Sequence, residues 1–193
     1  MIHFTSDTHF SHANILRFCP DRPGNGDIKE MNNVFISNWN KVVSRGDTVY
    51  HLGDIIFNHN DIRSVFSRLN GRITFLNGNH DRSRVVDDIV KVAPDRFLNL
   101  KSPYHEVNLG KGLPSLVLNH YPMRSWNKSY HGSIHMFGHV HGKLPPLGKS
   151  VDVGVDSTFI TGKAEYRPFS LPEILAFMEK LAVVDSITER MDD

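Results

Sequence analysis

Thiols are nearly missing from this chain. Cys19 is the one cysteine in 193 residues, which excludes an internal disulfide framework and fits a reducing compartment. No window approaches the ~20 apolar residues of a membrane span. The start, Met1 to Asp7, lacks the basic stretch and apolar core of a secretory leader. Charge of one sign is also wanting: a net charge of +1 gives little hold on an anionic membrane or a long nucleic acid. Repeats, low-complexity tracts and linkers are absent too, so one domain over residues 1–193 is expected, with the cytoplasm as its default compartment.

Histidine is present in excess. Twelve are too many to pass over, because histidine is the commonest metal ligand. Five short polar clusters hold most of those that matter: Asp7-Thr8-His9, Gly53-Asp54, Gly78-Asn79-His80-Asp81, Asn119-His120 and Gly138-His139-Val140-His141.

Hydrophobic periodicity places these clusters. A short strand is expected over 2–6 and one or two helical turns over 11–18, followed by a breaker-rich loop over 19–26. Asp27 reads as an N-cap, Ile28, Met31, Phe35, Trp39 and Val42 follow at helical spacing, and Gly46 reads as the stop. Strands over 48–52 and 72–76 alternate with helices over 61–69 and 83–92, the last ended by Pro94. The second half is strand-rich, with segments at 97–100, 105–109, 113–118, 134–137 and 151–155 and a hairpin at Gly110 to Gly112. A final amphipathic helix runs from Pro172 to about 184, and 189–193 fray. The order predicts a layered α/β (α+β) architecture with a mixed sheet or two stacked sheets.

Each cluster then falls just past the end of a strand, where α/β sheets gather their ligands. A mixed Asp, Asn and His donor set suits borderline or hard divalent ions such as manganese, iron or zinc, and the absence of thiolate argues against a structural zinc knot. Asp54 stands between the two ends of the set and is the natural bridging carboxylate of an ion pair. Gly53, Gly78 and Gly138 precede key residues, which permits close backbone approach or positive φ. Any one cluster could be an ordinary turn, but five in this order are hard to explain that way.

The set Asp7-x-His9, Gly53-Asp54, Gly78-Asn79-His80-Asp81, His120 and Gly138-His139-x-His141 resembles the calcineurin-like metallophosphoesterases, with no ligand position replaced. The resemblance implies a β-sandwich of two mixed sheets flanked by helices. It implies two divalent metal ions, manganese the first choice: Asp7, His9 and His141 on one, Asn79, His120 and His139 on the other, and Asp54 shared. It makes His80 the non-ligand histidine beside the phosphoryl group, oriented by Asp81, and attack by a bridging hydroxide the reaction. The expected substrate is a small phosphodiester or phosphomonoester, nucleotides included. The chain lacks the length of protein serine/threonine phosphatases, and Arg82 only faintly echoes their extra arginine motif. The alternatives are a non-catalytic metal-binding scaffold on the same fold and a single-metal redox site.

Around the clusters, His12, Asn14, Arg17, Arg22 and Arg124 are candidate substrate contacts, since arginine matches phosphate geometry. The plainer reading has His12 and Asn14 capping a short helix and the arginines facing water. Residues 121–131, with Trp126, form either a substrate wall or a surface loop packed on the core. His51 and His135 read as core or hydrogen-bonded residues. Asp152 and Asp156 either support the histidines or close sheet-end turns.

Overall fold

The computed structural model describes residues 1–183, so the expected fraying of 189–193 lies outside the described residues. Strands β1 (Ile2–Thr5), β2 (Thr48–His51), β3 (Arg72–Phe75) and β4 (Phe97–Asn99) pair in parallel, with β1 beside β2, β2 beside β3 and β3 beside β4. The two-residue strand β9 (Phe169–Ser170) adds antiparallel to the free edge of β1. The second sheet runs β5 (Tyr104–Val107), β6 (Leu116–Asn119), β7 (Ile134–Phe137) and β8 (Ser150–Asp152), with β5 antiparallel to β6 and the rest parallel. Both sheets are therefore mixed, and helices flank them.

Side-chain alternation divides the core into two layers. Phe4, Leu52 and Leu76 meet Leu116, Leu118, Ile134, Met136 and Val151 between the sheets. On the other face Val49, Ile73, Phe75 and Phe97 receive three helices: α2 (Ile28–Val42), α3 (Ile62–Phe66) and α4 (Ser83–Val90). Trp39, Phe35 and Met31 are essentially inaccessible, each contributing about 2–3 kcal/mol by burial. Asp27 caps α2 by accepting from the Lys29 and Glu30 amides. The short helix α1 (Ile15–Phe18) follows the first polar cluster. Helix α5 (Leu171–Met178) joins the inter-sheet layer through Ile174 and Met178, and Ser170 and Glu173 form its capping box.

Several boundaries differ from expectation. Helix α2 ends at Val42, not Gly46, because Val43 turns extended to bury its side chain. The segment over 61–69 divides into a 3₁₀ turn, His59–Asp61, and the short α3. Helix α5 stops at Met178, whose carbonyl accepts from Lys149. Strand β9 carries no signal at two residues; its pairing with β1 creates it. Among the described residues no helix is long and apolar enough to cross a membrane.

Two buried histidines are structural. His51 Nε2–H donates to Thr8 Oγ1, whose hydroxyl donates to the Ile55 carbonyl, and the Gly53 amide donates to His51 Nδ1. His135 Nδ1–H donates to the Val117 carbonyl and Nε2 accepts from the Met123 amide. Both rings are thus neutral and satisfied, and burial pushes His135 down to about 4. An unfolded chain takes up the proton near pH 6.5, so the stability owed to neutral His135 is present above that pH and lost as pH falls toward 4. Chemical denaturation of wild type and His135→Gln at pH 7.5 and 5.0 should show the wild-type advantage shrinking by about 2 kcal/mol at the lower pH. An advantage that does not change with pH would contradict the neutral assignment.

Candidate metal centre

Parallel pairing brings the carboxyl ends of β1, β2 and β3 to one edge of the first sheet. The loops beyond them stay in register. The Asp7 amide donates to the Gly53 carbonyl at 3.0 Å and the His9 amide to the Asp54 carbonyl at 3.0 Å. The second sheet joins at the same edge: Ser6 bridges to Gly154, and the His139 amide donates to Asp7 Oδ2 at 2.9 Å. The Gly138 amide donates to the His120 carbonyl at 3.0 Å, which sets the loop after β7 beside the end of β6.

Seven donor side chains from five loops converge there in two groups. Donor atoms of Asp7, His9 and His141 lie within 4.8 Å of one another, and so do those of Asp54, His120 and His139. Asn79 Oδ1 completes the second group, 2.9 Å from His120 Nε2 and 3.0 Å from His139 Nδ1. Asp54 lies between them, with Oδ2 3.5 Å from His9 Nε2 and 3.7 Å from His120 Nε2. Its Oδ1 accepts from the His80 amide at 3.0 Å, so Oδ2 alone faces both groups.

The donor chemistry fits cations. His120 Nδ1–H donates to the Leu52 carbonyl, so Nε2 carries the lone pair and faces oxygens of Asn79 and Asp54. Burial holds this imidazole neutral, down to about 4. Asp7 Oδ1 and both ring nitrogens of His9 are buried with no hydrogen-bond partner. Lone pairs facing one another in a low dielectric are costly until a positive ion sits among them. Burial also pushes the Asp7 carboxyl up to about 8, a cost of charge that a bound cation removes. The buried His and Asp groups can therefore hold a metal ion.

The backbone is strained where these donor residues sit. Asp7, His9, Asp54, His139 and His141 all have positive φ, between 45° and 71°. Each left-handed, non-glycine residue costs about 1 kcal/mol or more. Close approach fixes two glycines. A Cβ on Gly78 would lie 2.2 Å from Asp54 Oδ1, and one on Gly138 would lie 2.3 Å from Asp7 Oδ2.

Further charges behind the donor residues orient them. Asp156 Oδ2 accepts from His141 Nδ1 at 2.7 Å, leaving Nε2 for an ion. Burial disfavours the His141 cation, but the Asp156 and Cys19 hydrogen bonds and the Asp7 charge outweigh it and raise the ring to about 10. Arg22 holds Asp156 with two donors, at 2.8 and 2.6 Å, and donates to the Thr8 and Asp7 carbonyls. Asp152 accepts from the Gly142 and Gly154 amides and so closes the sheet-end turns, the plainer of its two readings.

Two expected roles are corrected. Asp81 does not orient His80. Its oxygens accept from the Asp54, Ile55 and Gly78 amides at 2.7–2.9 Å, clamping the loops after β2 and β3 together. Arg22 is no substrate contact, because its guanidinium is buried beneath the ligands. Arg124 lines a different pocket, with Pro122, Met123 and Leu147. Asn14 stands at the start of α1 without a side-chain cap bond, and Arg17 is exposed on that helix. His12 stacks face to face on Phe57 at 3.6 Å and lies 5.5 Å from the His9 ring. Trp126 is buried and donates to the Ser133 carbonyl, as a core-packed residue would, while the Tyr121 ring makes T-shaped contacts with both His120 and His139, centroids 4.9 Å apart. Sequence reasoning missed an open cleft of about 700 Å³ that continues from Asn79 and His80 between Phe57 and the start of α4.

Metal loading of chelator-stripped protein should raise Tm, since ligand present at 100 times its Kd stabilises by about 2.7 kcal/mol. Asp7→Asn should lose most of that shift. Calorimetry showing equal Tm with and without divalent ions would count against the centre.

No family model matches the chain. The uncharacterized protein MJ1445 of Methanocaldococcus jannaschii is 33% identical over 198 residues, 97% of each chain. The crystal structure of AQ665, a protein of unknown function from Aquifex aeolicus, matches with a TM-score of 0.67 at 26% identity, over 91% of this chain and 98% of that one. A phosphopantetheinyl hydrolase from Mycobacterium tuberculosis aligns at a TM-score of 0.35 and 16% identity, over 66% of this chain and 47% of that one, too slight a likeness to argue from. The chain belongs to one family with the Methanocaldococcus jannaschii protein MJ1445.

Proposed function

We propose that this protein is a dinuclear, divalent-metal-dependent phosphoesterase of the calcineurin-like type, acting on a small phosphodiester or phosphomonoester. One observation carries the reading: Asp54 Oδ2 lies between two separate donor groups, 3.5 Å from His9 Nε2 and 3.7 Å from His120 Nε2. A carboxylate shared by two such groups suits a pair of ions roughly 3.5–4 Å apart. Asp7, His9 and His141 would hold one ion, and Asn79, His120 and His139 the other. Manganese, iron or zinc suits these oxygen and imidazole donors, with manganese the first choice. Bound there, the ions supply acidified water and positive charge against the oxygens of phosphorus.

The protein's own residues do the rest. Asp156 keeps the His141 ring turned to the centre, and the Leu52 carbonyl does the same for His120. Asp81 fixes the loop that carries Asn79 and His80. His80 is exposed at the mouth of the centre, its ring 5.8 Å from that of His9. From there it can donate to a phosphoryl oxygen or give a proton to the departing oxygen. The Asp54 bond to its amide ties its position to the shared carboxylate.

Manganese-loaded protein should hydrolyse bis-p-nitrophenyl phosphate or p-nitrophenyl phosphate. His80→Ala should lower kcat by about 10²–10⁴-fold while keeping both ions, and Asp54→Ala should empty both positions by elemental analysis. Hydrolysis of neither ester with any divalent ion would favour the non-catalytic metal-binding module, and one ion per chain would favour a mononuclear site.

A further inference from the structure

The cleft beside the metal centre has a composition of its own. It opens from Asn79 and His80 and holds about 700 Å³, within the ~300–1,000 Å³ of small-molecule sites. One wall is apolar and aromatic, made by Ile56 and Phe57. Phe57 is 45% exposed although it is a large ring, and stacking on His12 at 3.6 Å and 5° fixes its plane. The lining also includes Arg82, Arg84 and Val85 at the start of α4.

The two arginines differ from the others near the site. Arg22 is internal and bound to Asp156, whereas Arg82 and Arg84 are exposed. Neither guanidinium donates to another described residue or forms an ion pair with one. His59, also in the lining, lies 3.1 Å from Asp88, which pairs with Lys91 as well. Asp81, the one carboxylate in the lining, accepts from three backbone amides. The cleft therefore offers two planar, five-donor cations without a hydrogen-bonded anion; Arg84 is near enough to Asp88 to help lower that carboxyl, but forms no ion pair with it.

We infer that this cleft is an anion subsite for the part of the substrate beyond the reacting phosphorus, so the preferred substrates are nucleotide-like esters carrying a second phosphate. Arg82 and Arg84 take that second phosphate, and Phe57 and Ile56 support the planar portion. This rests on the phosphoesterase reading for its reaction, but not for its binding. Charge-assisted contacts from arginine to phosphate are strong enough to select for a second phosphate, because an ester lacking it leaves both guanidinium groups in water.

The test uses adenosine 3′,5′-bisphosphate as the probe, with adenosine as its uncharged counterpart. In chelator-stripped protein, where hydrolysis does not intervene, NMR titration should show the bisphosphate binding at least about tenfold tighter than adenosine. Arg82→Ala/Arg84→Ala should abolish that margin, and Arg82→Lys/Arg84→Lys should restore part of it. Both side chains are exposed and make no internal bond, so the variants should keep the wild-type Tm. With manganese, the ratio of kcat/KM for the bisphosphate to that for bis-p-nitrophenyl phosphate should fall at least about tenfold in the alanine variant. Equal bisphosphate affinity in wild type and the alanine variant overturns the anion subsite, even if bis-p-nitrophenyl phosphate is hydrolysed. Arginine-dependent binding with no hydrolysis of any ester supports the subsite and overturns the phosphoesterase reading.

Discussion

A single carboxylate, that of Asp81, holds the centre in register. It gathers the amides of Asp54, Ile55 and Gly78, so the loops after β2 and β3 are tied by charge-assisted bonds and not only by the sheet. Asp54 and Asn79, which belong to different loops, owe their relative position to it. Burial raises the Asp81 carboxyl and the amide bonds work against that rise. An anion surrounded by N–H groups is what a buried loop junction needs, since a buried carboxylate without partners would be far costlier than the bonds it makes.

The same logic runs through the rest of the site. Asp152 takes two amides, and Arg22 reaches two carbonyls as well as Asp156. These groups bond to backbone and to one another. They hold a backbone that is left-handed at five of its donor residues, a conformation that would relax if the junction loosened. Rigidity of this kind is what donors able to hold an ion need, because ligand atoms misplaced by even half an ångström lose coordination geometry. The glycines contribute by absence: side chains at Gly78 and Gly138 would occupy the space of the Asp54 and Asp7 carboxylates.

The donor residues were legible in the sequence because each sits where a hydrophobic run stops and polar types cluster. The supporting residues were harder. Asp81 follows His80 directly, and adjacency suggests a dyad, yet its side chain turns to the backbone of another loop. Arg22 lies in a loop crowded with breakers, which reads as surface. Its partner Asp156 is 134 positions away, and no local pattern reveals a bond of that span. Phe57 and Arg84 carry no motif at all. They become a cleft only because the loop after β2 and the start of α4 face each other across Asn79 and His80.

Most element types and their order came from the sequence alone, strand β9 excepted, since burial imposes periods of two and 3.6 on any chain that folds around a core. So did the residue types able to donate to a cation, a matter of residue chemistry. Tertiary structure decided which donors share a group, that Asp54 lies between the two groups, and which arginines are buried and which remain open. Those facts depend on contacts between residues far apart along the chain, and distance in space is the one quantity that residue types and local spacing do not encode.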